Sequence, residues 1–187
     1  MATSAARDRI LMTAFELFYA RGIRAVGVDL IIAESGVAKA TFYKHFPAKD
    51  ELVLAYLDKV DTVWSGQLRE AAAGGGADPA DQLVALFDAL GTACRRDGYR
   101  GCAFINAAAE SLPGSPVHER TVRHKDEVRA WVGELAERAG ASDPAGLARS
   151  LTLLLDGGLS DGALAASPDA PERAKATAAL VVAAAIG

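Results

Sequence analysis

Gly36 interrupts a run of residues that would otherwise continue as one helix, and the spacing on either side of it constrains the fold more than any other feature. Ile31, Ile32 and Ala33 lead into Glu34 and Ser35 before it, and Val37, Phe42 and Phe46 recur at intervals of five and four residues after it. A chain that stops one helix and restarts at a steep angle within three or four residues needs a corner residue that tolerates positive φ, which glycine does without a Cβ clash. Val28 to Lys49 therefore reads as two short helices about a tight turn, with Val37, Phe42 and Phe46 facing inward. The opposite face of the second helix carries Lys39, Thr41, Tyr43, Lys44 and His45, side chains able to donate hydrogen bonds to phosphates and to base edges in a DNA major groove. The pattern is a helix-turn-helix.

The rest of the chain reads as helix too. At 187 residues it is long enough for one large or two small units with a substantial core. Ala and Leu are abundant, β-branched runs are sparse, and no stretch sustains two-residue alternation, so the expected class is all-α. Residues 1–6 read as a short flexible arm. Ile10, Ala14, Leu17 and Phe18 then share one face of a first helix over Arg7 to Ala20. Further helices are expected over Leu52–Ala73, Asp81–Asp97, Cys102–Leu112, Val117–Ala139, Ala145–Ala166 and Glu172–Ile186, about nine in all. Gly74-Gly75-Gly76 and Pro113-Gly114-Ser115-Pro116 break the pattern, and Pro144 suits the first position of the helix it begins. The apolar tail Ala176–Gly187 is shorter than the roughly 20 residues that cross a bilayer. No basic, apolar leader opens the chain, so a soluble, cytoplasmic protein with no membrane partner is expected.

A formal charge of −4 hides an asymmetry. Residues 1–49 hold Arg7, Arg9, Arg21, Arg24, Lys39, Lys44 and Lys49 against Asp8, Glu16, Asp29 and Glu34, a balance of +3, which leaves −7 for residues 50–187. A basic end and an acidic body would orient the molecule toward a duplex and limit non-specific adhesion.

The helix-turn-helix and its flanks resemble the TetR family of bacterial transcriptional regulators. The likeness lies in Gly36-Val37, in Thr41-Phe42-Tyr43-Lys44-His45-Phe46, in Pro47-x-Lys49-Asp50-Glu51-Leu52, and in the helix Ile10–Ala20 that ends on Arg21-Gly22. Such a resemblance implies a DNA-binding domain over residues 1–49, a ligand-binding and dimerisation domain over residues 50–187, and a connecting helix at Leu52–Ala73 that couples them. Three positions depart from the family's habit: Gly27-Val28, Ala38 and Ala48 stand where a hydroxyl or amide commonly caps a helix. A side-chain cap is worth about 0.5–2 kcal/mol over alanine, so this head is expected to lean on packing. Lys39, Thr41 and Lys44 are expected at base edges, and Tyr43, His45 and Lys49 at phosphates.

Inward aromatic residues along the later helices, Trp64, Phe87, Phe104 and Trp131, are expected to meet a small, largely apolar ligand. Asn106 and Glu110 lie four residues apart on an otherwise apolar short helix. They must be solvated, paired or facing a cavity, as ligand contacts or as helix-to-helix hydrogen bonds. Arg120, Arg123, Lys125, Asp126 and Arg129 read as a solvated, salt-bridged face. The last two helices carry more apolar surface than one core needs, and Gly157, Gly158, Gly162, Ala165 and Ala166 would allow close approach, so a homodimer through these helices is expected.

No cofactor loop, paired catalytic carboxylates or nucleophile–base spacing appears, so no enzyme and no cofactor is expected. His118 and His124 lie about 240° apart around one helix and cannot chelate one ion; His124 with Glu127 or Glu110 could, but with three histidines in the whole chain no metal is expected either. Cys94 and Cys102 lack zinc spacing; Arg95 and Arg96 could lower the Cys94 pKa, whereas the plainer reading is two buried small side chains. The expected function is a ligand-responsive regulator, a repressor bound to a palindromic double-stranded operator. The alternative is a dimeric helical interaction module whose helix-turn-helix is degenerate.

Overall fold

The computed structural model describes residues 5–164 and 169–187. Ten helices and no strand occur among them: α1 (Ala5–Arg21), α2 (Val28–Ser35), α3 (Lys39–His45), α4 (Lys49–Gly74), α5 (Pro79–Ala85), α6 (Asp88–Cys94), α7 (Ala103–Glu110), α8 (Pro116–Arg138), α9 (Pro144–Ala163) and α10 (Ala170–Ile186). Of the expected N-terminal arm, Ala5 and Ala6 are helical and residues 1–4 lie outside the described residues, as do Ala165 and Ala166.

The tenth helix arises because the expected helix Asp81–Asp97 is two. Between α5 and α6 the N–H groups of Phe87, Ala89 and Leu90 return to the carbonyls three residues back, at 3.1–3.2 Å. That tightens the turn into 3₁₀ geometry. The bend lets Leu83, Leu86, Phe87 and Leu90 all be buried, each at 1% exposure or less.

The chain forms two compact units, Met1–Asp61 with Ala103–Val122, and Thr62–Cys102 with Arg123–Gly187. α4 and α8 each contribute residues to both. In the first unit Ile10, Ala14 and Phe18 of α1 are buried with Val26, Ile31, Phe42, Phe46, Leu52, Tyr56 and Leu57. Phe15 and Phe18 each meet the Tyr56 ring edge-on at 5.6 Å, which ties α1 to the start of α4.

In the second unit α9 packs with α6 and α10. A Cβ on Gly158 would stand 2.5 Å from Leu90 Cδ2 and 3.3 Å from Ala174 Cβ, and one on Gly162 would stand 2.6 Å from Cys94 Sγ. These two glycines therefore serve packing within the chain, whereas open space surrounds the exposed Gly157. Pro144 is the first residue of α9, and the Asp143 carboxylate caps that helix by accepting from Gly146 N–H at 2.9 Å.

Candidate nucleic-acid interface

The corner expected at Gly36 is left-handed, at φ 63° and ψ 26°, and its N–H donates to Ala33 O at 3.3 Å. α2 and α3 begin at Gly27 and Ala38 with no side-chain cap. The first turn of α3 is closed by backbone alone: the N–H groups of Thr41 and Phe42 both reach the Ala38 carbonyl, at 2.9 and 3.0 Å. Its orientation comes from packing, since Phe42 and Phe46 are 0% and 2% exposed. Arg7 lays its guanidinium 5.0 Å from the Phe46 ring centroid, a cation–π contact that ties α1 to the end of α3.

With Phe42 inward, helical periodicity turns Lys39, Ala40, Tyr43 and Lys44 outward, where all are exposed; Thr41 and His45 are half-buried at the margins. Tyr43 stands edge-on to Phe42 at 5.3 Å, which fixes its ring while leaving the residue 43% exposed. Lys39 pairs with Asp29 at 3.2 Å, both side chains well exposed. Such a surface pair contributes about 0–1 kcal/mol and gives way readily to a phosphate.

Lys49 differs from the five residues of α3. Its ammonium donates to Ile23 O at 2.6 Å and lies 5.9 Å from the Phe18 ring centroid. Burial pushes its pKa down, opposed by the charges of Glu110 and Asp50. The charge is thus turned into the head rather than onto the outer face.

The six expected ligand residues divide between the two units, Trp64, Phe87 and Trp131 in the second and Phe104, Asn106 and Glu110 in the first. Trp64 lines a cavity of about 20 Å³ with His124, Lys125, Thr152, Leu155 and Asp156. Phe87 is buried at 1%, and Trp131 lies under the Arg69 guanidinium at 4.9 Å. Phe104 is buried with the Arg120 guanidinium 5.7 Å from its ring centroid. Asn106 is exposed. Glu110, half-buried, accepts from Arg24 N–H at 2.6 Å, so its carboxylate serves a backbone group of the α1–α2 turn.

The charged run of α8 is only partly solvated. Arg120, its side chain 11% exposed, donates to Asp58 and Asp61 of α4 at 2.7 Å each. Burial opposes its charge, but hydrogen bonds and charge from the two aspartates more than offset this and raise its pKa. Lys125 pairs with Asp156 of α9, and its Nζ stands 3.6 Å from Cys102 Sγ; His124 is 1% exposed. The sequence puts Arg120 and Lys125 on a salt-bridged face but does not show their partners, which lie on α4 and α9. For Cys94 the structure favours the plainer reading over an activated thiol: burial pushes its thiol pKa up, aided by Glu172, and outweighs the lowering by Tyr99 and Arg95. Among the described residues, no cluster of three His, Cys, Asp or Glu could hold a metal ion, and no helix is long and apolar enough to cross a membrane.

Residues 10–56, from α1 into α4, match the family described as bacterial regulatory proteins, tetR family. Along nearly its whole length the chain is similar to SCO4454, a TetR-family transcriptional regulator from Streptomyces coelicolor, with 37% identity, TM-score 0.90, and coverage of 97% of this chain and 96% of that one. It is 27% identical over 159 residues to the HTH-type transcriptional regulator YjdC of Escherichia coli (strain K12), across 82% of this chain and 81% of that protein. A stretch of 61 residues is 44% identical to the HTH-type transcriptional activator FasR of Mycolicibacterium smegmatis, across 32% of this chain and 28% of that protein.

Proposed function

The chain belongs to the TetR family of DNA-binding transcriptional regulators, which are not enzymes, and from that premise we propose that it is a repressor released from a palindromic operator by a small molecule. The observation that carries the DNA-reading part is the outer face of α3, where Lys39, Tyr43 and Lys44 are exposed on a helix pinned from behind by Phe42 and Phe46. Lys39, Thr41 and Lys44 read base edges, and Tyr43 and His45 hold phosphates. Lys49 supports the head from within. Two copies pair through α9 and α10, a reading supported by Leu153, Leu164 and Leu180, each 73–74% exposed. The two α3 helices then enter major grooves with centres about 34–36 Å apart or wider.

The effector enters at the cavity beside Trp64. Its apolar body rests on Trp64, Val128 and Leu155, and its polar end meets Lys125, Thr152 or Asp156. A space of about 20 Å³ holds roughly one water, whereas ligand pockets run to about 300–1,000 Å³. A ligand must therefore select an arrangement in which α4, α8 and α9 stand further apart, and that preference is what lets it shift the protein between states. α4 carries the shift along one continuous helix from Gly74 to Lys49.

Selection of bound sequences from a random duplex pool at physiological salt tests this. A recovered palindrome with half-sites a helical turn or more apart is the expected result. Recovery of nothing by a folded, dimeric protein would favour a protein-binding module.

A further inference from the structure

The turn between α1 and α2 is held by charge at both ends of a single peptide group. Gly22 opens the turn at φ 87°, its N–H donating to Phe18 O at 2.9 Å. The Ile23 carbonyl accepts from Lys49 Nζ at 2.6 Å, and the Arg24 N–H donates to Glu110 Oε2, also at 2.6 Å. That carbonyl and that N–H belong to the same Ile23–Arg24 peptide unit. An ammonium thus grips its negative pole and a carboxylate its positive pole. Charge-assisted bonds of this kind are about twice as strong as neutral ones. The approach is close: a Cβ on Gly22 would stand 2.8 Å from Glu110 Oε1.

Lys49 opens α4 and Glu110 closes α7, so the two grips come from different helices, one of them outside the first 49 residues. Two residues after the gripped peptide comes Val26, fully buried, and then Gly27, the N-cap of α2. The orientation of that one peptide therefore sets where the helix-turn-helix leaves α1. With no side-chain cap on α2 or α3, the buried side chains Val26, Ile31, Phe42 and Phe46 and this clamped peptide are what hold it.

We propose that Glu110 is a positioning residue for DNA reading: with Lys49 it clamps the Ile23–Arg24 peptide, so that α7 governs the placement of the recognition helix. This rests on the DNA-reading function proposed above and adds to it an element by which the head is controlled. Glu110 touches no nucleic acid in this role.

The test uses the full chain with Glu110→Ala, Glu110→Gln and Gly22→Ala. Amide exchange at Arg24 in the free protein reads the clamp, and affinity for the selected operator across salt concentrations reads its consequence. Glu110→Ala should speed Arg24 exchange and weaken operator binding, each by about ten- to a hundredfold. The slope of log affinity against log salt should stay unchanged, because no phosphate contact is removed. Glu110→Gln keeps an acceptor without the charge and should fall between, so the proposal stays testable should the alanine variant fail to fold. Gly22→Ala should displace the carboxylate and also strain the backbone at φ 87°, so its losses should equal or exceed those of Glu110→Ala. Unchanged Arg24 exchange would overturn the clamp. Faster exchange with undiminished operator affinity would overturn the positioning role. Failure of the unaltered chain to bind any duplex would overturn DNA reading itself, an outcome separate from the variants and from the exchange measurement.

Discussion

Asp58→Asn and Asp61→Asn remove the same charge from the same ion network, yet the structure makes them unequal. Arg120 donates through Nε to Asp58 Oδ1 and through Nη2 to Asp61 Oδ2, both at 2.7 Å. The Asp58 side chain is 65% exposed and the Asp61 side chain 19%, while that of Arg120 is 11% exposed. Water already competes for Asp58, so its loss should cost about 0.5 kcal/mol, within the range for surface pairs. Removing Asp61 leaves a mostly buried guanidinium whose Nη1 already lacks a hydrogen-bond partner. Breaking a fully buried pair costs about 3–5 kcal/mol; partial exposure of Asp61 and the acceptor retained by asparagine lower this to about 2 kcal/mol. Urea unfolding followed by far-ultraviolet circular dichroism measures both, with the m-value held constant as a check on the transition. In 1 M salt the Asp58 effect should vanish and most of the Asp61 effect should persist, because buried pairs are screened far less. Equal losses for the two variants, or an Asp61 loss abolished by salt, would refute the view that Arg120 ties α8 to α4 through a desolvated bond.

Ala38→Ser should stabilise the chain by about 0.5–1 kcal/mol in the same unfolding assay, the lower half of the usual cap gain, because Thr41 N–H already reaches the Ala38 carbonyl. Gly27→Ser should gain only a few tenths, since glycine is itself a tolerable N-cap. Leu180→Asp should yield monomers by light scattering while circular dichroism stays unchanged, since the residue is 73% exposed within one copy; a persistent dimer would place the interface elsewhere. Cys94 should alkylate at pH 7 more slowly than a free thiol, because burial holds its pKa up. The fold favours the neutral thiol, so that contribution to stability is whole below the ordinary thiol pKa and is lost as pH rises from there through the raised pKa of the folded chain; Cys94→Ala should remove that part of the alkaline decline.

What could be read from the sequence was whatever local geometry dictates. The corner at Gly36 needs positive φ, and Phe42 and Phe46 fall on one helical face, so α2, α3 and their outer residues followed without tertiary knowledge. The break between α5 and α6 did not follow, because Leu83, Leu86, Phe87 and Leu90 keep an apolar helical face straight through it, and only their packing shows the bend. Arg120 and Lys125 sat in a run of charge that reads as solvated; their aspartates belong to α4 and α9. Glu110 was legible as a polar group needing a partner, but that partner is a backbone N–H 86 residues away. For Cys94 the adjacent Arg95 and Arg96 left an activated thiol open beside the plainer reading of a buried small side chain. Neighbours at i+1 on a helix do not face each other, and burial prevails.

The apolar excess of α9 and α10 was legible only as a total, and the structure divides it. Leu151, Leu155 and Leu159 are buried within the chain, as is Ala178, and Gly158 and Gly162 are consumed by Leu90 and Cys94. Leu153, Leu164 and Leu180 remain, with Gly157 and Ala184 also exposed. Burying a leucine is worth about 1.5–3 kcal/mol when complete, so three that are roughly three-quarters exposed in each of two copies would contribute on the order of 10 kcal/mol. Association costs about 4–15 kcal/mol in lost motion. In the proposed dimer the leucines alone therefore come close to break-even, and the small residues between them would have to let the helices approach closely enough for backbone and Cβ contacts to supply the surplus. Replacing Gly157 by leucine should therefore loosen the dimer despite adding apolar surface, with dissociation at protein concentrations where the unaltered chain stays paired. A tighter dimer on sedimentation would mean that apolar area, and not close approach, holds the two copies together.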